Sequence, residues 1–204
     1  MAATNSGLGA LGRESILVLR YPPDLSQRDC DLLDRDEKFL GSVVRVEGKT
    51  SRSLLGPFGL ANLRCQTFEI RDGSGRCLHR IKGPSSKHEA TLIVADPRGS
   101  EVGAIRRPDL GFFGPLALGL GKRAYDLEGG GQRLGSMTRR FMALGARIYD
   151  TSGNQIARLS HSQTWAWRRS HYIIQFFEPL HEVLRVLAIA TAVWVRSTAR
   201  HAAT

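Results

Sequence analysis

"PLHEVLRVLAIATAVWV", residues Pro179 to Val195, is the stretch on which the fold turns. In a chain of 204 residues with net charge +10, such a run is a membrane span, an amphipathic surface helix or the core of a soluble fold. After Arg185 only Val186 to Val195 run without a charge. A helix rises about 1.5 Å per residue and a span needs about 20 apolar residues, so the run is too short to cross a bilayer. A surface helix needs one apolar and one charged face. Here Val183, Leu184, Val186, Leu187, Ile189, Val193, Trp194 and Val195 point in nearly all directions. A helix apolar all round is buried on all sides. The expected helix runs over 180–199. Pro179 suits its first turn, Glu182 favours its positive end, and Arg196 and Arg200 favour its negative end.

What surrounds that helix is written upstream as a repeat. "LLDRDEKFLGSVVR", "EIRDGSGRCLHRIK", "IVADPRGSEVGAIRR", "AYDLEGGGQRLGSMTRR" and "IYDTSGNQIARLSH" share one pattern. An apolar run leads to Asp34, Asp72, Asp96, Asp126 or Asp150, then a short turn, then alternation. Gly75, Gly99 and Gly153 follow their Asp by three residues, Glu37 stands at that place in the first copy, and the fourth copy is longer by two. An Asp carboxylate accepts hydrogen bonds from backbone N–H groups just ahead, and Gly supplies the positive φ that closes a hairpin. Five hairpins make ten strands. "ILVLR", "TWAWR" and "YIIQFF" bring the total to twelve or thirteen, the strand number of an all-β barrel or sandwich.

Alternation along the second strands places Gly41, His79, Gly103, Gly135 and Ala157 on one face with Val43, Ile81, Ile105, Met137 and Leu159. Ser42, Arg80, Ala104, Ser136 and Arg158 fall on the other. The small residues suggest that something bulky approaches the inner face, and the buried helix is that object. Leu40, Leu78, Val102, Leu134 and Ile156 sit out of phase, either packing across a hairpin end or marking a β-bulge.

The hairpins, above all "ARIYDTSGNQIARLSH", and the closing run "SHYIIQFFEPLHEVLRVLAIATAVWV" resemble the tubby C-terminal-like superfamily. The branch is that of phospholipid scramblases and plant LURP-one-related proteins. The resemblance covers Ser15 to Ala199. It implies a twelve-stranded closed antiparallel barrel around a hydrophobic C-terminal helix, with a binding or scaffold role whose best-known theme is lipid. The chain departs from scramblases in lacking their acidic, calcium-binding-like segment before the helix, their Cys cluster and their Pro-rich arm. The expected organisation is a flexible tail over 1–14, one all-β domain over 15–200 and a short tail over 201–204.

No enzyme constellation is found. "GPLALGLGKR" fails the phosphate-loop spacing, and there is no HExxH or GxSxG. Three cysteines without a CxxC suggest neither a disulfide framework nor a zinc site, so no metal or cofactor is expected, and a reducing compartment fits. The N-terminus lacks a secretory h-region, which points to a cytoplasmic protein.

Basic pairs are the prominent feature: Arg106–Arg107, Lys122–Arg123, Arg139–Arg140 and Arg168–Arg169. The first two bracket "PDLGFFGPLALGLG", where Phe112 and Phe113 lie between cationic ends. This is the chemistry of a loop touching an anionic membrane. It is also that of a long connection packed over a barrel end with solvated charges. "TWAWRR" mixes aromatics and Arg and so leaves nucleic acid open as a partner, although strand alternation explains Trp165 and Trp167. The expected partner is an anionic phospholipid surface. The alternatives are a nucleic-acid or protein adaptor, and a calcium-independent scramblase.

Overall fold

Four of the five tight turns are built by their Asp. In the computed structural model, which describes residues 8–22, 29–46, 67–83, 92–107, 122–140, 145–164 and 169–199, Asp34 Oδ1 accepts from the backbone N–H of Asp36 and Lys38. Asp72 Oδ1 accepts from Ser74 and Arg76, Asp96 Oδ1 from Ser100 and Asp150 Oδ1 from Asn154. Gly75, Gly99 and Gly153 take positive φ, and Glu37 does so in the first turn. The fourth hairpin differs. Asp126 is no turn residue but lies inside a strand, opposite Ser136 and ion-paired with Arg133. Two extra residues lengthen that hairpin, which turns at Gly130 and Gly131, both at positive φ.

The strands are β1 (Ile16–Arg20), β2 (Cys30–Leu33), β3 (Phe39–Val46), β4 (Thr67–Asp72), β5 (Cys77–Lys82) and β6 (Leu92–Ala95). They continue as β7 (Glu101–Arg106), β8 (Lys122–Gly129), β9 (Gln132–Arg140), β10 (Ala146–Tyr149), β11 (Gln155–Thr164) and β12 (Arg169–Phe176). All pair antiparallel in sequence order, and β1 closes on β12 to complete a twelve-stranded barrel. "ILVLR" is β1, and "YIIQFF" falls in β12 except for Phe177 just beyond its end. Thr164 of "TWAWR" ends β11, and its other residues, 165–168, lie outside the described set.

The out-of-phase apolar residues are bulges, in all five hairpins. Register passes from Gly41 to Phe39 and skips Leu40. It skips Leu78, Val102, Leu134 and Ile156 in the same way. A bulge puts two residues of one strand against one of its neighbour. The skipped side chain can therefore turn inward beside the next residue. Leu40, Leu78 and Ile156 are buried, and Val102 and Leu134 pack against the core.

The helix α1 (Glu182–Ala199) runs down the barrel. It begins two residues later than expected, so Pro179 precedes it, and Val183 N–H lies 3.4 Å from His181 Nδ1. Every residue from Leu184 to Val193 is buried, so the helix is enclosed by the wall on all sides as its apolar circumference demanded. The small inner-face residues divide into two kinds. A Cβ on Gly103 would sit 2.9 Å from Val183 Cγ1 and 3.4 Å from Leu187 Cδ1, so this glycine does admit the helix. Gly129 has the same relation to Val183, at 2.9 Å. Gly41 and Gly135 instead face backbone: a Cβ there would strike the carbonyl oxygens of Arg71 and Tyr149 on the neighbouring strands. Their absent side chains serve strand approach, not the helix.

The expected flexible tail over 1–14 is corrected for its described part. Residues Gly9–Gly12 form a 3-10 turn, and Leu8 and Leu11 are each 1% exposed. Arg185 Nη1 donates to the carbonyl oxygens of Leu11 and Glu14. Its guanidinium also lies 4.1 Å above the Phe176 ring centroid.

Candidate functional site

The hairpin topology gives the barrel two unlike ends. The five tight turns, the N-terminal 3-10 turn and the start of α1 all lie at one end, because β12 reaches it at Phe176 just before the helix begins. The other end receives the longer connections and the C-terminus of α1. At the turn end, Asp34, Asp36, Glu37, Asp72, Asp96 and Asp150 alternate with Arg35, Lys38, Arg76 and Arg98. At the other end Arg20, Arg45, Lys82, Arg107, Lys122, Arg123, Arg139, Arg140 and Arg169 stand, among the described residues, against only Asp29 and Asp31. Both carboxylates are engaged. Asp31 pairs with Arg20 at 3.0 Å, and Asp29 accepts from the Arg45 backbone N–H at 2.8 Å. Burial pushes the Asp29 carboxyl above its ordinary range, and Arg71 pulls it part of the way back.

The basic pairs therefore come together in one respect that sequence could not establish: they share an end of the barrel. Arg106 closes β7 with Arg107 beyond it, Lys122 and Arg123 open β8, Arg139 and Arg140 close β9, and Arg169 opens β12. Register sets Lys122 opposite Arg140 and Arg123 opposite Arg139. Four basic residues thus stand on two adjacent strand ends.

Arg106 is different. Its register partner is Asp126, three residues along β8 from Arg123. Its guanidinium pairs with Glu128 at 2.7 Å and Glu101 at 3.4 Å. It is tied to the wall by carboxylates and adds little positive charge to the basic end. Phe112, Phe113 and Arg168 lie outside the described residues.

Two arginines of interest escaped the sequence reading. Arg147 on β10 stands opposite Arg158 on β11, and both are exposed. Neither belongs to a basic pair along the chain, so only cross-strand register reveals them. The interior beneath the basic end is aromatic. Tyr125 and Trp194 meet edge to face with centroids 5.0 Å apart, and Tyr172 contacts both Tyr21 and His161. Among the described residues, no helix is long and apolar enough to cross a membrane.

No protein-family model matches the chain, and no curated protein matches it. Among solved structures it is similar to a protein from Arabidopsis thaliana determined by X-ray crystallography. The similarity covers 89% of this chain and 91% of that one, at 10% sequence identity and a TM-score of 0.50. At that identity the likeness is one of fold: the closed barrel around its helix.

Proposed function

We propose that this chain is a non-catalytic barrel domain of the tubby C-terminal-like superfamily, in the scramblase and LURP-one-related branch, that binds anionic phospholipid membranes peripherally. The observation that carries the reading is the collection of basic strand ends at one end of the barrel, opposite the mixed-charge turns. A cation near an anionic leaflet contributes about 1 kcal/mol, so several acting together suffice for reversible attachment. The resemblance to scramblase-type domains supports a lipid partner, and the cytoplasmic leaflet, rich in anionic lipid, is the matching surface. Calcium plays no part in this reading. The stretch before the helix offers Glu178, and Glu182, which opens the helix, is directed at His79.

The test is co-sedimentation of the full chain with phosphatidylcholine vesicles, with and without phosphatidylserine, beside a DNA competition. Binding should require the anionic lipid and weaken with salt. Absence of binding at low salt would overturn the reading. DNA binding with a steep salt dependence, without vesicle binding, would assign the basic end to nucleic acid instead.

A further inference from the structure

We propose that Arg147 and Arg158, on the outer wall of the barrel, form a phosphate-binding site that seats this wall on the headgroups of an anionic bilayer. This rests on the membrane reading above and extends its contact from the strand ends to the flank of β10 and β11. Register places Arg147 directly opposite Arg158, and the Cα atoms of opposed residues lie about 4.5–5.5 Å apart. The outward phase is clear, since Ala146, Ile148, Ala157 and Leu159 on either side are buried while both arginines are exposed.

At two other places this barrel neutralises an outward arginine across strands. Arg20 stands opposite Asp31 and pairs with it, and Arg80 stands opposite Glu69 and pairs with it. Arg147 and Arg158 have no carboxylate opposite them. Their other register neighbours are Thr138 on β9 and Gln175 on β12. One step along, the same face carries Ser136, Tyr149, Ser160 and Ile173. Among the described residues, no carboxylate stands directly or diagonally across from either arginine. Two residues along β9 from Thr138, Arg140 stands in register with Lys122.

Two like charges opposed across strands cost stability. A phosphate between two guanidinium groups turns that repulsion into charge-assisted hydrogen bonds, in the forked geometry that guanidinium offers to phosphate oxygens. The neutral, partly apolar flank around the pair suits the plane of a bilayer, and charge complementarity selects its anionic lipids.

The test compares the full-length chain with R147Q/R158Q and R147K/R158K. The measurements are co-sedimentation with vesicles containing phosphatidylserine, and thermal melts in pyrophosphate against sodium chloride of equal ionic strength. R147Q/R158Q should lose about 30-fold in vesicle binding, at the strength of two cations near an anionic surface. Its own Tm should be no lower than wild type, since repulsion is relieved, and pyrophosphate should raise the Tm of the wild type alone. R147K/R158K should keep most vesicle binding but lose part of the pyrophosphate response. If R147Q/R158Q binds vesicles like wild type while R107Q/R123Q does not, the wall site is wrong and the membrane reading survives at the barrel end. If wild type ignores anionic vesicles but responds to pyrophosphate through both arginines, the phosphate site stands and its lipid occupant falls. If neither responds, both proposals fall.

Discussion

Arg185 and Leu11 lie 174 residues apart in sequence, yet the guanidinium of one donates to the carbonyl oxygen of the other at 3.0 Å. The bond closes the turn end of the barrel over the first turns of the central helix. It explains why a charge is tolerated at 3% exposure inside an apolar helix. Burial lowers the Arg185 pKa, with Glu14 opposing the shift, and backbone carbonyls supply acceptors for the charge.

Replacing Arg185 with Met should therefore destabilise the fold by about 2–3 kcal/mol, the scale of hydrogen bonds to a charged donor. Deleting residues 1–13 should cost at least as much, because Leu8 and Leu11 leave the core. Urea denaturation measures both. An unchanged midpoint for the truncated chain would mean that the N-terminal segment is not part of the folded unit.

Gly103→Ala should cost about 1–3 kcal/mol, the usual penalty for overpacking. Its Cβ would meet Val183 Cγ1 and the Glu128 carbonyl oxygen, each at 2.9 Å. Val183→Ala in the same chain should recover part of the loss, because one of the two obstacles is then gone. A double-mutant cycle with a coupling of about 0.5 kcal/mol or more checks the contact. Strict additivity would contradict it.

Val186→Asp or Leu187→Asp should abolish folding. Both positions are 0% exposed, and each substitution buries a charge without a partner. The expected observation is loss of a cooperative melt by circular dichroism. A normal transition in either variant would show that the helix can leave the barrel.

His79 predicts a pH dependence. It stands on β5 at 8% exposure, with Nε2 3.6 Å from Glu182 Oε1 on the first turn of α1. Burial lowers its pKa, while Glu182 and, more weakly, Asp96 oppose the shift. A histidine with a folded-state pKa below its unfolded value contributes its stability above the unfolded pKa of about 6.5. That contribution is lost as pH falls through the folded value. Between about pH 7 and pH 5, wild type should lose more stability than His79→Gln in parallel melts. Glu182→Gln should steepen the loss, since it removes the opposing charge. Identical pH profiles for wild type and His79→Gln would refute the assignment.

The sequence by itself determined the parts of this protein that depend on near neighbours along the chain. Asp–Gly spacing specified the turns at Asp72, Asp96 and Asp150, because an Asx hydrogen bond and a positive φ involve only a few consecutive residues. The apolar circumference of Val186 to Val195 specified an enclosed helix, because a helix without a polar face has no stable place in water. Tertiary structure decided what depends on register and on distant partners. Leu40, Leu78, Val102, Leu134 and Ile156 looked merely out of phase until pairing showed five bulges. Gly41 and Gly135 resembled Gly103 until the neighbouring carbonyls of Arg71 and Tyr149 came into view. The basic pairs were legible as pairs, but their common end needed the order of the strands. Arg147 and Arg158 were not legible as a pair at all. They lie eleven residues apart and meet only across a strand boundary, where register, not local sequence, determines which charges face each other.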